Sequence, residues 1–312
     1  MLMRYIFKIL VTPLLLFLLI ASANAQPLND QWILVTGATG TQGGAVARIL
    51  IDAGYNVRGL SRNITSERSK ELESLGVEMV KGDFDDDASL DRALINVYAA
   101  FSVQQYRGIG IEMEVVQGKA FADAAHRAGI SHLIYTSVSY AHLKTGVPQF
   151  ESKLAIENYI KSIGVPYTIF RPASFMSSLL DLLASKDNCL IRGPLPETLE
   201  RLFIAPKDIG IFVEMAIINP NQWIGVTKRI ASDQLTYSEI TEQFNGISNG
   251  CLEYKQLPWD EYVLDATETD ILRESWYLNN TDSFEFNRFK IEYPWIMSFQ
   301  DFLGEANLTD LR

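Results

Sequence analysis

Short apolar runs and longer stretches of helical spacing alternate along this chain. "WILVTGA" (32–38) is a continuous apolar run ending in glycine, the pattern of a strand buried on both faces. "GGAVARILIDAG" (43–54) then sets Val46, Ile49, Leu50 and Ala53 on one helical face, with Gly54 as the stop. "NVRGLSR" (56–62) reads as a strand, and "SERSKELESLG" (66–76) as a helix capped by Ser66 and closed by Gly76. The alternation continues through a strand at 77–83, a helix at 87–95, a strand at 97–103 and a helix at 112–129. A strand at 132–139, a helix at 150–164 and a strand at 167–173 complete it. Strands joined through helices need right-handed crossovers and a parallel sheet covered on both faces. The pattern predicts an α/β fold with a doubly wound parallel sheet.

Beyond Ser174 the regularity fades. Two helices stand out, at 206–217 and at 236–247, the second with a threonine cap. Prolines are frequent there, as are aromatics such as Trp259, Trp276, Trp295, Tyr277 and Phe299, which we read as core rather than ligand platform. We divide the chain into a nucleotide-binding core (32–173) and a smaller, partly helical lobe (174–312), interleaved with the core and closing over the C-terminal edge of the sheet.

One segment carries a specific chemistry. "VTGATGTQGGAV" spaces Gly37, Gly40 and Gly43 three apart, between a predicted strand and a predicted helix. Gly37 allows the tight turn, Gly40 lets backbone approach a pyrophosphate, and Gly43 lets the helix pack closely on the strand. Thr39 lies within the turn, and the N–H groups of Thr41 and Gln42 point from the positive end of the helix. Dinucleotide binding follows. The second strand ends in Arg62, with Arg68 a turn later, where an NAD site would carry an acid. A guanidinium there suits a 2′-phosphate, so the expected cofactor is NADP(H). Asp83 and Phe84 follow the third strand, where an adenine edge would lie.

The first residues are different material. Arg4 and Lys8 precede the apolar run "VTPLLLFLLIA", and small residues lead to an Ala23-x-Ala25 site. This is the pattern of a secretory signal peptide cleaved after Ala25, with an uncleaved anchor facing the cytosol as the alternative. We exclude 1–25 from the fold and expect export. A formal charge of −11 argues against a nucleic-acid partner. The three histidines fit no metal-ligand spacing, so no metal is expected. Cys189 and Cys251 are read as two separate thiols, with pairing in an oxidising compartment as the alternative.

Taken together, "GATGTQGGAVARIL", "GDFDD", "FSVQQY", "YTSVS", "FESKLAIENYI", "GVPYTIFRPASFM" and "PKDIG" resemble the NmrA-like proteins, atypical members of the short-chain dehydrogenase/reductase superfamily. The resemblance runs over nearly the whole chain from Trp32, and several pieces are shared with isoflavone reductase-like relatives. It implies a Rossmann core, NADP(H) binding, and either redox-sensing regulation or reduction of a small carbonyl or quinone. In the classical superfamily a Tyr-x-x-x-Lys pair works on the helix after the fifth strand. Four positions before Lys153 stands Gln149, which cannot act as an acid. Tyr140 and Tyr159 lie off the spacing, and Ser137 and Ser139 end the strand where a catalytic serine would sit. The resemblance makes Lys153 a ribose ligand, with catalysis through it as the alternative. Gln104, Gln105 and Tyr106 are expected beside the nicotinamide, and Phe175 and Met176 on the substrate-side wall. Relatives often carry asparagine where this chain has Ser178, which puts any shared substrate in doubt.

Two readings result. The first is an NADP(H)-binding sensor or regulator without the usual catalytic tyrosine, its partner a protein or a small molecule. The second is an NAD(P)H-dependent reductase.

Overall fold

The computed structural model describes residues 31–183, 189–248 and 250–306. The signal-type segment at 1–25 lies outside the described residues. Six strands and five helices alternate first: β1 (Trp32–Val35), α1 (Thr41–Asp52), β2 (Asn56–Ser61), α2 (Glu67–Ser74), β3 (Glu78–Lys81), α3 (Asp87–Ala93), β4 (Val97–Ser102), α4 (Ile111–Ala128), β5 (His132–Thr136), α5 (Pro148–Ser162) and β6 (Tyr167–Pro172). The chain continues through β7 (Ser174–Phe175), α6 (Met176–Leu183), β8 (Leu190–Gly193), β9 (Arg201–Ile204), α7 (Pro206–Ile218) and α8 (Pro220–Trp223). After these come β10 (Thr227–Ile230), β11 (Asp233–Leu235), α9 (Tyr237–Ser248), β12 (Glu253–Gln256), α10 (Trp259–Asp265), α11 (Glu268–Asn279), α12 (Phe286–Glu292) and α13 (Phe299–Glu305).

The main sheet is parallel throughout, in the order β10-β6-β5-β4-β1-β2-β3. The doubly wound expectation holds. Its seventh strand, β10, comes from the C-terminal half of the chain and pairs with β6 from Thr227↔Ile169 to Ile230↔Pro172. Alternation along β1 supplies both faces of the core. Ile33 and Val35 join Val46 and Leu50 of α1 and Phe212 of α7 on one side. Leu34 joins Phe121 of α4, Tyr135 and Ile156 of α5 on the other. Each such buried side chain stabilises the fold by roughly 1.5–3 kcal/mol. The tail aromatics are core only in part: Phe299 is fully buried, and Trp276 and Tyr277 pack half-buried against Tyr140. Trp259 and Trp295 are 37% exposed, because they lie at the outer ends of short surface helices and turns.

Caps set the helix ends. Ser66 Oγ accepts from the Ser69 N–H, and Gly76 turns the chain away from α2 at φ 101°. Thr236 and Glu239 form a reciprocal capping box before α9: the Thr236 N–H donates to Glu239 Oε2, and Thr236 Oγ1 accepts from the Glu239 N–H.

Cys189 and Cys251 are not separate thiols; a disulfide joins them, with their Cα atoms 5.1 Å apart. The cause is strand pairing that the sequence did not disclose. β8 and β12 run parallel, and the Glu253 N–H donates to the Cys189 carbonyl at 2.7 Å, which brings the two strand starts together. No described helix is long and apolar enough to cross a membrane.

His132, fully buried at the start of β5, gives the fold a pH dependence. The Thr168 hydroxyl donates to the Trp223 carbonyl, so its oxygen accepts from His132 Nε2–H at 2.7 Å. Nδ1 is left buried without a partner among the described residues, and burial lowers the ring's pKa from 6.5 to about 4. The unfolded chain therefore takes up a proton that the fold refuses. This contribution to stability is intact above pH 6.5 and is lost as pH falls towards 4, by about 3 kcal/mol in all. Denaturant titrations between pH 7 and 4 should show His132→Gln losing stability less steeply than the wild type. Parallel pH slopes would show that the buried ring does not titrate this way.

Candidate functional site

A single cavity of about 1180 Å³ runs along the C-terminal edge of the main sheet, from the glycine loop to the C-terminal helices. Gly37, Thr39, Gly40, Thr41, Gln42 and Gly43 line one end. Gly40, the residue before α1, has extended backbone and no side-chain cap, and the first turn's N–H groups have no carbonyl within the helix to bond. The turn is tight: the Gly40 N–H donates to the Gly37 carbonyl at 2.8 Å. A side chain at Gly43 would collide with the Gly37 carbonyl oxygen and stand only 2.6 Å from the Thr36 oxygen. The cradle exists because nothing larger than hydrogen fits there. Thr136 Oγ1 donates to Gln42 Oε1 at 2.8 Å and fixes the side chain that follows the turn.

Arg62 and Arg68 both line the cavity beside this loop and are exposed. Arg68 donates to the Thr39 carbonyl at 3.3 Å, and neither arginine has an ion-pair partner among the described residues. Asp83 and Phe84 line the same stretch; Phe84 is braced edge-on against Phe121 at 5.8 Å. Uncapped N–H groups, two unpaired guanidiniums and a cleared glycine turn are the donor set an anionic dinucleotide requires, and these residues fit it.

Midway, Lys153 lines the cavity from α5. Its Nζ donates to the Gln104 carbonyl at 2.6 Å and lies 3.0 Å from Glu114 Oε1. The Gln104 bond uses one of its three donors, and the Glu114 contact is an ion pair whose Oε1 has no hydrogen-bond partner among the described residues. Burial pushes the ammonium below its ordinary pKa, and the Glu114 carboxylate opposes that shift. Glu114 is itself wholly buried and accepts from Ser152 Oγ at 2.5 Å. Around this pair, Gln104 Oε1 and Gln149 Oε1 are buried without hydrogen-bond partners among the described residues. Gln149 occupies the site where the superfamily's tyrosine would stand, and it lines the cavity.

Three of the neighbouring hydroxyls, those of Ser137, Tyr140 and Tyr159, donate elsewhere. Tyr140 donates to Asp282 Oδ2 at 2.6 Å; burial and then the neighbouring Tyr277 and Asp282 hold its phenol proton on, with Arg229 opposing. Tyr159 donates to Asp123 at 2.7 Å and is not among the cavity-lining residues. Ser137 donates to Glu157 Oε1 at 2.5 Å, and Ser139 Oγ accepts from Arg229 Nε at 2.9 Å. Lys153, with one hydrogen bond from its ammonium, keeps donors free to face the cavity.

Gln104, Gln105, Tyr106 and Phe175 also line the cavity. Met176 does not. It is fully buried in a separate cluster with Leu179, Phe203 and Phe299, because α6 begins at this residue and turns it inward. Glu114 escaped the sequence reading, although a signal was present. It falls in register with Gln117, Phe121 and Ala125 on the buried stripe of α4, where a carboxylate needs a partner. The far end of the cavity was missed too. Arg201 of β9, Tyr237 of α9, and Arg273, Glu274 and Tyr277 of α11 line it, brought together only by packing of the C-terminal helices.

Relatives share this architecture. The NmrA-like family domain-containing oxidoreductase malD of Malbranchea aurantiaca is 27% identical over 267 residues, covering 75% of this chain and 78% of its own. The structure of NmrA, a negative transcriptional regulator, in complex with NADP superposes with a TM-score of 0.72 at 19% identity, covering 89% of this chain and 95% of that one. The Citrobacter sp. triphenylmethane reductase complexed with NADP(H) gives 0.72 at 19% identity, covering 88% and 99%. At such identities the two structures establish a common fold. Residues 29–289 match the family model as well, and the chain belongs to the NmrA-like family.

Proposed function

We propose that this protein binds NADP(H) along the glycine loop and reduces a small carbonyl or quinone compound seated between Lys153 and the C-terminal helices. The observation that carries this reading is the length of the cavity. At about 1180 Å³ it exceeds the roughly 300–1,000 Å³ typical of one drug-sized ligand, and it continues past Lys153 into a second polar end. NmrA and triphenylmethane reductase, solved with NADP and NADP(H), share the fold, and malD is named an oxidoreductase.

Each residue has a role in this reading. The N–H groups of Thr41 and Gln42 take the pyrophosphate, and Arg62 with Arg68 takes the 2′-phosphate. Bound there, NADPH supplies a hydride. Lys153 holds at Nζ the proton that a carbonyl oxygen needs as it is reduced, and Glu114 keeps that amine charged despite its burial. Gln149 orients the ligand through its amide. The sensor reading is favoured by one observation: Tyr140 and Tyr159 are hydrogen-bonded to Asp282 and Asp123, and Tyr135, whose ring lies 5.8 Å from Lys153 Nζ, is fully buried and does not line the cavity.

Titration with NADPH and NADH, followed by tryptophan fluorescence, tests the first step. The wild type should prefer NADPH, and Arg62→Asp should cut that preference by about 10- to 100-fold, the worth of a charge-assisted hydrogen bond. Turnover follows from NADPH oxidation across a panel of quinones and aldehydes, with Lys153→Met about 100-fold slower. Tight NADPH binding with no oxidation by any compound would sink the reductase reading and leave the sensor.

A further inference from the structure

The far end of the cavity has a donor and acceptor arrangement that the dinucleotide does not explain. Arg201 reaches in from β9. Its Nη1 donates to Tyr237 Oη at 3.0 Å, its Nη2 donates to Ser174 Oγ at 3.2 Å, and its guanidinium lies 4.3 Å from the Tyr277 ring centroid. All of these partners are neutral. Among the described residues no carboxylate lies within 4.0 Å of Arg201, which is partly buried in the cavity wall; the Glu274 charge acts on it only from beyond contact. A guanidinium withdrawn from water gains most from a carboxylate in direct hydrogen-bonded contact, and Arg201 has none.

Two candidate counter-ions stand on α11, and both are engaged by a different arginine. Arg273 donates to Asp270 Oδ1 at 2.7 Å, and its Nε and Nη2 donate to Glu274 Oε1 at 2.9 and 2.7 Å. The second oxygen of Glu274 is buried and has no hydrogen-bond partner among the described residues. Glu274 is 6% exposed, so this is an acceptor away from water as well as away from any protein donor. One wall of the cavity thus carries a cation bonded only to neutral oxygens, and another carries an acceptor without a donor. The rings of Tyr237, Tyr262, Tyr277 and Phe175 lie around them.

From this arrangement we infer that the C-terminal end of the cavity binds a planar aromatic or conjugated carboxylate that also bears a hydroxyl or N–H group. The ligand's carboxylate is the counter-ion of Arg201, its donor satisfies Glu274 Oε2, and its flat body lies among the tyrosine rings. This deepens the reductase reading, on which it rests, by naming the class of compound held beside the cofactor. A chain with formal charge −11 repels anions at long range, so recognition of a carboxylate has to come from a local device of this kind.

The test uses the full chain, with and without NADPH, titrated calorimetrically with 4-hydroxybenzoate, its methyl ester and benzoate. 4-Hydroxybenzoate should bind about 10- to 100-fold more tightly than the ester, which has the same ring and hydroxyl but no charge. Arg201→Gln should bring that ratio close to one while leaving the NADPH dissociation constant unchanged. Glu274→Gln should erase the advantage of 4-hydroxybenzoate over benzoate. Equal binding of acid and ester by the wild type, or binding of neither, overturns the inference, and needs no variant to fold. Failure of NADPH to bind would instead count against the function proposed above, and the acid-to-ester ratio measured without NADPH would still decide this one.

Discussion

Gly43→Ala should weaken NADPH binding by at least about 100-fold, the scale of loss that displacement of roughly an ångström brings to a positioned group. The added methyl carbon would meet the Gly37 oxygen, and would come 2.5 Å from the Gly37 carbonyl carbon and 2.6 Å from the Thr36 oxygen. All three are backbone atoms, so no side chain can swing aside. Either α1 lifts from β1 or the turn at Gly37 opens, and both movements take the Thr41 and Gln42 N–H groups away from their aim. A stability loss of about 1–3 kcal/mol should accompany it, the usual result of forcing a methyl into packed structure. Gly246→Ala in α9 is the matched control. An added carbon there meets nothing within 4 Å, so helix propensity predicts unchanged binding and a slight gain in stability. NADPH titration and denaturant melts of the two variants check this. Unimpaired binding by Gly43→Ala would mean that the cofactor does not sit on the loop.

The second large effect concerns a charge that never meets a ligand. Glu157 of α5 is wholly buried; Arg171 Nε donates to its Oε1 at 2.8 Å, and Arg171 Nη2 to its Oε2 at 2.6 Å. Ser137 adds a third donor, and Lys161 lies 3.5 Å away. Glu157→Ala leaves the Arg171 guanidinium, with 12% of its side chain exposed, without its bidentate partner. The expected loss is about 3–5 kcal/mol. Glu157→Leu combined with Arg171→Met removes both charges and should recover most of it. A double variant as unstable as the single one would locate the stability in packing rather than in the pair. Either variant also frees the Ser137 hydroxyl at the cavity wall.

The regular half of this protein was legible because its signals are local. Apolar runs, helical spacing and glycine stops placed β1 to β6 and α1 to α5 within a few residues of where they lie. The glycine loop was legible from residue type and spacing and Lys153 from the family resemblance, and both line the cavity. What escaped depends on contacts between distant segments. "TKRI" of β10 has three half-buried residues out of four and carries no strong strand pattern, yet it completes the sheet through pairing with β6. Met176 looked like a wall residue until α6 turned it into the core. Arg201 and Glu274 are 73 positions apart, and no local rule joins them. Glu114 stood in plain view on the buried stripe of α4 and was not singled out.

The origin of β10 bears on how such a protein can change over generations. A chain cut after residue 173 would leave β6, with Ile169 and Phe170 wholly buried, as a bare sheet edge. It would also lose Phe212 and Val213 of α7 from the core around α1. The C-terminal half therefore cannot be exchanged like a cartridge, because part of it is the scaffold of the other half. On the function proposed above, new preferences would have to arise by single substitutions on β7, β9 and α11, tried one at a time within an unbroken sheet.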